Sequence, residues 1–477
     1  MSVKIVILGA GPGGYVAAIR AAQRGAEVTV IEQDQVGGTC LNRGCIPSKV
    51  MKTTAEMLER FQRASEFGLT VKGPVVPDMG RLMDRKQKVV QDQVKGILRL
   101  LSHHKIRYVR GTGRIAGPDR VQVKGGGADQ VDLPWDSLVL ALGSEPLPIS
   151  GLPFDGERVI SSTHALNLTE IPGSILIVGG GVIGCEFAFI LSSLGSRVTV
   201  VEALGRLLPL PSVDEDSSKV LQREMKKRRI KMMLNRTVEG IDENGGRLRV
   251  AVGASPSALK SRGRDVRPAA VEVDKVLVCI GRMATTGGIG LETLGIRTDQ
   301  RGWIMADERM ETNIPHVYGI GDVLGPDKIM LAHVASAEGS VAAINATGGN
   351  SRMNYGAVPG AIFTMPEVAD VGLTEVQARE KGFNVRSDTV LFRTLGKAQV
   401  IGEIAGQAKI VSDAGSGGIL GVHMIGPHAA DLIAEATLAV QTGCSVRDLA
   451  KTIHAHPTLS EVMGEAAFRA TDMPLHG

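Results

Sequence analysis

Residues 3–14 read Val3-Lys4-Ile5-Val6-Ile7-Leu8-Gly9-Ala10-Gly11-Pro12-Gly13-Gly14. An apolar run that ends in a glycine-rich turn predicts a buried strand feeding a helix. The Ala-rich residues 15–24 predict that helix, Gly25 its end, and Val28–Ile31 a second strand closing on Glu32. A shift of 170 positions brings the pattern back: strand Ile175–Val178, turn Gly179-Gly180-Gly181-Val182-Ile183-Gly184, helix end Gly195, and strand Val198–Val201 closing on Glu202. In both copies the carboxylate stands 23 positions after the first glycine. This is the pattern of a βαβ unit that binds a dinucleotide. The first glycine makes the tight turn, the second lets the backbone approach the pyrophosphate, and the third lets helix and strand pack closely. The pyrophosphate rests on the helix N-terminus, and the carboxylate accepts from a ribose hydroxyl. Two such sites imply an electron relay, with a flavin dinucleotide held in one and a nicotinamide dinucleotide exchanged at the other. Glu202 favours NAD over NADP, because a carboxylate there repels a 2′-phosphate. Arg206 reads as a surface residue early in a loop.

The chain around these units has 477 residues, enough for three or four domains. With 43% hydrophobic and 22% charged residues it is an ordinary globular composition, which excludes a disordered chain. Its 60 glycines follow no Gly-X-Y period, which excludes collagen. A net charge of +4 is too small and dispersed for a nucleic-acid binder, and the run Lys226-Lys227-Arg228-Arg229 reads as a solvated helix face. No apolar run approaches a membrane span, and neither a signal peptide nor a transit segment is apparent, so a cytoplasmic location is expected. Pro146, Pro148 and Pro153 mark a boundary near 149. The expected division is a first dinucleotide unit over 1–149, a second over 150–281, a central segment over 282–349 completing the first site, and an α+β unit over 350–477. Strands are expected at Leu138–Leu142, Val271–Gly281, Tyr318–Ile320, Gly360–Phe363, Lys409–Ser412 and Leu420–Ile425. Helices are expected at Ala429–Thr442 and Val446–Lys451. Residues 245–270 read as an exposed loop or hairpin.

Cys40 and Cys45 lie in Gly37-Gly38-Thr39-Cys40-Leu41-Asn42-Arg43-Gly44-Cys45-Ile46-Pro47-Ser48-Lys49, just after the first fingerprint. Nothing nearby completes a zinc site. In a regular helix this spacing rises about 7.5 Å, beyond the roughly 4.4–6.8 Å that a disulfide wants between Cα atoms. The pair bridges only if the helix start bends, which Gly44 and Pro47 allow. A redox-active disulfide is the favoured reading, with two buried free thiols as the alternative. Cys185, Cys279 and Cys444 read as small buried hydrophobes.

The Cys40–Lys49 stretch resembles the active-site signature of the flavin-dependent, pyridine nucleotide-linked disulfide oxidoreductases, nearest the branch that oxidises dihydrolipoamide with NAD⁺. His454-Ala455-His456-Pro457-Thr458-Leu459-Ser460-Glu461 resembles that family's catalytic segment. The resemblance runs from Gly9 to Glu461. It implies an α/β fold with two Rossmann-like domains, for FAD and NAD, and a C-terminal α+β dimerisation domain. It makes Cys45 the thiol nearest the flavin, Cys40 the exchanging thiol, His456 the acid/base and Glu461 its orienting carboxylate. For FAD it implies Gly9, Gly11, Gly14, Glu32, Lys49, Gly113, Gly143, Ser144, Asp322 and the stretch Met330-Leu331-Ala332-His333. For NAD it implies Gly179, Gly181, Gly184, Glu186, Glu202 and Gly281, with Glu186 also paired to Lys49. It further implies a homodimer in which the partner subunit brings the His/Glu segment, and lipoyl domains of 2-oxo acid dehydrogenase or glycine-cleavage complexes as partners, with no metal, nucleic acid or membrane. A dithiol substrate arrives protonated, so a histidine matched to neutral pH suits the removal of its proton. Alternatives are a sibling reductase with another disulfide or metal substrate, or a low-turnover flavoprotein sensor. No cysteine follows Cys444, unlike mercuric reductases. Two departures stand out. Arg282-Met283-Ala284-Thr285 replaces the usual Arg-Pro-Asn, which predicts a local loop change. Ala141-Leu142-Gly143 replaces Ala-Thr-Gly, which removes a hydroxyl.

Overall fold

The strand Lys4–Leu8 is apolar on both faces after its first residue, and it lies at the centre of a sheet covered on both sides. The computed structural model of the protein describes residues 2–125, 131–260 and 267–476. In this first sheet the order is Val317–Gly319, Ser137–Leu140, Lys4–Leu8, Glu27–Glu32, Arg107–Arg110, with every pairing parallel. The helix Pro12–Gln23 follows the central strand directly, with proline in its first turn, where the missing N–H leaves no bond unmade. It packs on the helix Ala332–Ala346, so the sheet and its cover draw on residues far apart in sequence.

The second sheet repeats the first. Its order is Lys231–Leu234, Arg197–Glu202, Ser174–Val178, Lys275–Val278, Val159–Ser161, again all parallel. The helix Val182–Leu194 ends on Gly195 at φ 117°, as the sequence predicts. One expectation changes here. Val271–Gly281 is not one strand: Ala269–Val273 pairs antiparallel with Arg247–Ala254, while Lys275–Val278 joins the parallel sheet. The break falls at Asp274, whose Oδ2 accepts from the Ser174 N–H at 2.7 Å and the Ser174 hydroxyl at 2.9 Å. Those bonds fix the chain where it changes sheets. The loop or hairpin expected over 245–270 begins as a hairpin, in which Arg247–Ala254 pairs antiparallel with Arg236–Asn244, and continues into a short helix, Pro256–Lys260. Residues 261–266 of that stretch lie outside the described residues.

The C-terminal unit is a five-stranded antiparallel sheet in the order Gly360–Ile362, Glu367–Gly372, Ile419–Gly426, Gln407–Asp413, Val385–Leu391. Three of these strands were expected; Glu367–Gly372 and Val385–Leu391 are additional. Helices Ala429–Thr442 and Val446–Lys451 occur with those bounds, and a further helix, Glu461–Ala470, packs on the sheet. The basic run closes a helix, Glu215–Lys227. It is less free than a solvated face: Lys227 pairs with Glu224 at 2.6 Å and Arg228 with Glu59 at 3.1 Å. Among the described residues no helix is long and apolar enough to cross a membrane.

Candidate active site

The thiol pair sits at a break between two helices, Gly38–Arg43 and Cys45–Gln62. Gly44 forms the break. A Cβ there would lie 2.9 Å from the Thr39 carbonyl oxygen, so the turn that brings the two cysteines together admits no side chain. Cys45 opens an 18-residue helix, and Pro47 sits in its first turn, where its lack of an N–H is harmless. The bend expected from the spacing is thus a full helix break. Both cysteines are free thiols. They hydrogen-bond to each other, and that bond is the main reason the Cys45 thiol is lowered to about 7. Burial opposes the shift, the Lys49 ammonium assists it and Glu186 opposes it. Cys40 is pushed the other way by the same bond and by burial. Cys45 therefore loses its proton first and Cys40 keeps one, which makes Cys45 the better leaving group.

Lys49 lies one helical turn beyond Cys45. Its Nζ meets Glu186 Oε2 at 2.9 Å and stands 4.2 Å from the centre of the Phe363 ring. The Phe363 N–H donates to Glu186 Oε1 at 2.9 Å. Glu186 thus ties the thiol helix, the second dinucleotide helix and the C-terminal unit at one point.

The two fingerprint turns share the same backbone constraints at their outer glycines. Gly9 and Gly179 take φ 102° and 104°. A Cβ on Gly14 would meet Gly9 O at 1.9 Å, and one on Gly184 would meet Gly179 O at 1.9 Å. The middle glycines differ: Gly11 and Gly181 have ordinary φ of −67° and −75°. A Cβ on Gly11 would find its nearest atom at 3.9 Å, and one on Gly181 would find none within 4 Å. Neither packing nor conformation requires glycine there, and the open space lies over a helix N-terminus. That is the cradle a pyrophosphate fits.

The strand-end carboxylates also match. Glu32 accepts from Ala10 N at 2.8 Å and Asp34 N at 2.9 Å; Glu202 accepts from Gly180 N at 2.6 Å and Leu204 N at 2.7 Å. Each clamps its own glycine turn, a role the sequence does not reveal. A carboxylate has about four acceptor positions, so capacity for ribose hydroxyls remains. Arg206 is not a free surface residue. It is half-buried and donates to the carbonyls of Leu208, Leu210 and Val213 at 2.8, 3.0 and 3.1 Å. Its guanidinium is committed to shaping its own loop.

Of the remaining candidates for the first site, the structure joins Ser144 and Asp322 directly and places the others on separate elements. Ser144 donates to Asp322 Oδ2 at 2.6 Å, just after Gly143 at φ 74°. Gly113 lies on the strand Thr112–Gly117, with the Leu8 side chain 2.6 Å from where its Cβ would be. Met330 and Leu331 lead into the helix Ala332–Ala346, and His333 bonds Pro359 O through Nε2 at 2.9 Å. Gly281, at φ 143°, ends the crossing from the second sheet. The departure after it is no loose loop. Arg282–Ala284 pairs antiparallel with Ser144–Pro146, and Arg282 donates to the Ser144 hydroxyl and carbonyl, both at 2.6 Å. Thr285 donates to the carbonyls of Leu142 and Gly143 at 2.7 and 2.8 Å, so a hydroxyl still secures the turn that lost one at 142. Sequence reasoning missed both roles; the only cue was their place directly after Gly281.

His456 and Glu461 form a second centre. His456 Nδ1 lies 2.8 Å from Glu461 Oε1, and Thr458 N donates to Glu461 Oε2 at 2.9 Å. Burial pushes the Glu461 carboxyl up, but the His456 bond and the Thr458 N–H outweigh it and hold it below its ordinary value. The imidazole is 75% exposed, with its Nε2 edge available. The ionisable groups that act on the thiols include Tyr15, Lys49, Glu186 and Arg282, all outside the C-terminal unit. The cleft beside Cys40, about 450 Å³, is lined only by residues between Pro12 and Leu100. Of the other cysteines only Cys185 is fully buried; Cys279 and Cys444 are half-buried.

The sequence model of the pyridine nucleotide-disulphide oxidoreductases matches residues 3–339, and that of their dimerisation domain matches residues 358–467. The chain belongs to this family. It is 42% identical over 473 residues to the dihydrolipoyl dehydrogenase of Chlamydia muridarum, covering 99% of this chain and 97% of that one. It is 40% identical to the dihydrolipoyl dehydrogenase of Bacillus subtilis, covering 99% and 98%. Among solved structures, LpdA from Mycobacterium tuberculosis superposes with a TM-score of 0.88 at 28% identity, covering 98% and 99%. The HOCl-induced flavoprotein disulfide reductase RclA from Escherichia coli gives 0.82 at 26% identity, covering 97% and 99%. In this family member His456 and Glu461 fall inside the dimerisation match, while both thiols fall outside it.

Proposed function

We propose that this protein is an FAD-dependent disulfide oxidoreductase that oxidises protein-bound dihydrolipoamide to lipoamide and reduces NAD⁺ to NADH. The observation that carries the reading is the asymmetric thiol pair, with Cys45 ionised before Cys40 and an open cleft leading to Cys40. Full-length relatives of about 40% identity that bear this activity in their names support it.

The cycle starts with Cys40 and Cys45 joined as a disulfide. His456 takes the proton of one substrate thiol through Nε2, and Glu461 fixes the ring and stabilises its charge. The substrate thiolate attacks Cys40 Sγ, and Cys45 leaves as a thiolate. The second substrate thiol gives up its proton and closes on the first sulfur. Lipoamide is released, and Cys40 takes up a proton. Bound FAD supplies two-electron transfer from the reduced pair to NAD⁺. Gly9, Gly11, Gly14 and Glu32 hold the flavin dinucleotide, with Lys49, Gly113, Gly143, Ser144, Asp322 and the Met330–His333 stretch along it. Gly179, Gly181, Gly184, Glu202 and Gly281 receive NAD, with Glu186 bridging to Lys49. Because the cleft at Cys40 carries no residue of the C-terminal unit, His456 and Glu461 of one copy serve the thiols of a second copy in a homodimer. The working units are residues 1–149, 150–281, 282–349 and 350–477, and the partners are lipoyl domains of a multienzyme complex. Three further free thiols suit a reducing compartment, the cytoplasm.

The test is a spectrum and an assay. The purified protein carries FAD absorbance and reduces NAD⁺ with dihydrolipoamide; Cys45→Ser abolishes turnover, and His456→Gln slows it with FAD retained. A colourless protein, or one active only with NADPH and glutathione disulfide, refutes the reading.

A further inference from the structure

The helix Met79–His103 carries a glycine that the fold does not ask for. Gly96 lies in the interior of this 25-residue helix, where glycine is the least favourable residue after proline. Its φ is not among the positive ones, so conformation does not require it. A Cβ on Gly96 would meet nothing within 4 Å, so packing does not require it either. Gly96 is one of the residues that line the cleft of about 450 Å³ that contains Cys40.

The rest of the cleft says what passes through it. Tyr15, Leu41, Ile46, Ile97 and Leu100 give it a largely apolar wall, and Cys40 is its one reactive group. Gln93, Gly96 and Leu100 follow one another at helical spacing, so one face of the long helix forms a side of the passage. Leu100 is 46% exposed, a large apolar side chain left at the surface beside that passage. Gln93 brings the only side-chain amide among the lining residues. An apolar corridor with one amide, ending at an exchanging thiol, fits an aliphatic arm that carries a carboxamide at one end and a dithiol at the other.

We infer that Gly96 is a specificity-determining residue, which keeps the passage to Cys40 wide enough for a lipoyl arm. The inference rests on the function proposed above. A branched side chain at 96 narrows the corridor for a long arm and leaves Cys40, Cys45 and both dinucleotide turns in place. Compact dithiols continue to reach Cys40.

The experiment compares Gly96→Leu and Gly96→Ala with the wild-type FAD-loaded protein. Expected for Gly96→Leu is a fall in kcat/KM for dihydrolipoamide of about tenfold or more, carried by KM. Turnover of dithiothreitol changes by less than about twofold. Gly96→Ala stays close to wild type. A second readout does not depend on turnover: alkylation of Cys40 in the reduced protein, followed by peptide mass. Gly96→Leu slows N-hexylmaleimide about tenfold relative to iodoacetamide. Equal losses on both dithiols, no loss on either, or a dimer that dissociates in Gly96→Leu overturn the inference; the last would assign the space to a partner chain. A wild type that does not oxidise dihydrolipoamide refutes the proposed function instead, and the alkylation ratio then still decides whether Gly96 gates access to Cys40.

Discussion

Replacing Cys40 by alanine tests the electrostatics of the thiol pair directly. In the reduced protein Cys45 ionises at about 7, well below the ordinary 9.0. The first cause is the hydrogen bond from the Cys40 thiol; Lys49 adds to it, while burial and Glu186 oppose it. Cys40→Ala removes the donor and leaves the burial, so the Cys45 thiol returns to 9 or above. At pH 8 its thiolate fraction then falls from about nine-tenths to about one-tenth or less. The assay is the rate of iodoacetamide alkylation at Cys45 from pH 5 to 10, read by mass spectrometry of the peptide. The midpoint moves up by about two units, and the rate at pH 8 drops about tenfold. Cys40→Ser keeps a hydroxyl donor and retains most of the shift. A Cys40→Ala protein whose midpoint stays near 7 refutes the reasoning and assigns the acidity to Lys49 and the helix N-terminus.

Gly14→Ala and Gly184→Ala each place a Cβ 1.9 Å from a carbonyl oxygen of their own turn. Gly14→Ala is expected to lose FAD absorbance, whereas Gly184→Ala keeps the flavin and raises the NAD⁺ KM; the reverse pattern would exchange the two sites. Glu461→Gln is expected to slow dihydrolipoamide oxidation about a hundredfold, with NADH-to-ferricyanide turnover unchanged. Because the folded Glu461 pKa lies below the ordinary 4.5, its stabilising effect is present above that value and lost as pH falls through the lowered one. The Tm difference between wild type and Glu461→Gln therefore closes at acid pH, and a difference that persists there refutes the assigned ion pair.

The two nucleotide turns were legible because everything that defines them is local: glycines a few residues apart and a carboxylate at the end of the next strand. The C-terminal sheet was only partly legible. Val385–Leu391 reads Val-Arg-Ser-Asp-Thr-Val-Leu and Glu367–Gly372 carries Asp370 at its middle, so neither looks like a buried strand. Their polar residues find partners elsewhere in the fold. Asp370, His423 and Lys409 stand opposite one another across three neighbouring strands. Lys409 meets Asp214 at 2.9 Å from 195 positions away, and burial raises the Asp370 carboxyl to about 7. Hydrophobic periodicity registers none of this, because a buried charge becomes acceptable only when its distant partner is known. Arg282 failed for the same reason, its partner Ser144 lying 138 positions away, whereas Arg206 binds carbonyls of its own loop that no side-chain pattern marks.

The first sheet is assembled from both sides of the second, and this has a consequence for the order in which a nascent chain matures. When residue 140 leaves the ribosome, the N-terminal sheet still lacks its edge strand Val317–Gly319, and the helix Pro12–Gln23 lacks its neighbour Ala332–Ala346. The second sheet needs only residues from Val159 to Val278, a contiguous stretch. Translation therefore completes the later nucleotide unit before the earlier one. The N-terminal unit receives its last elements only after about seven-tenths of the polypeptide has been made.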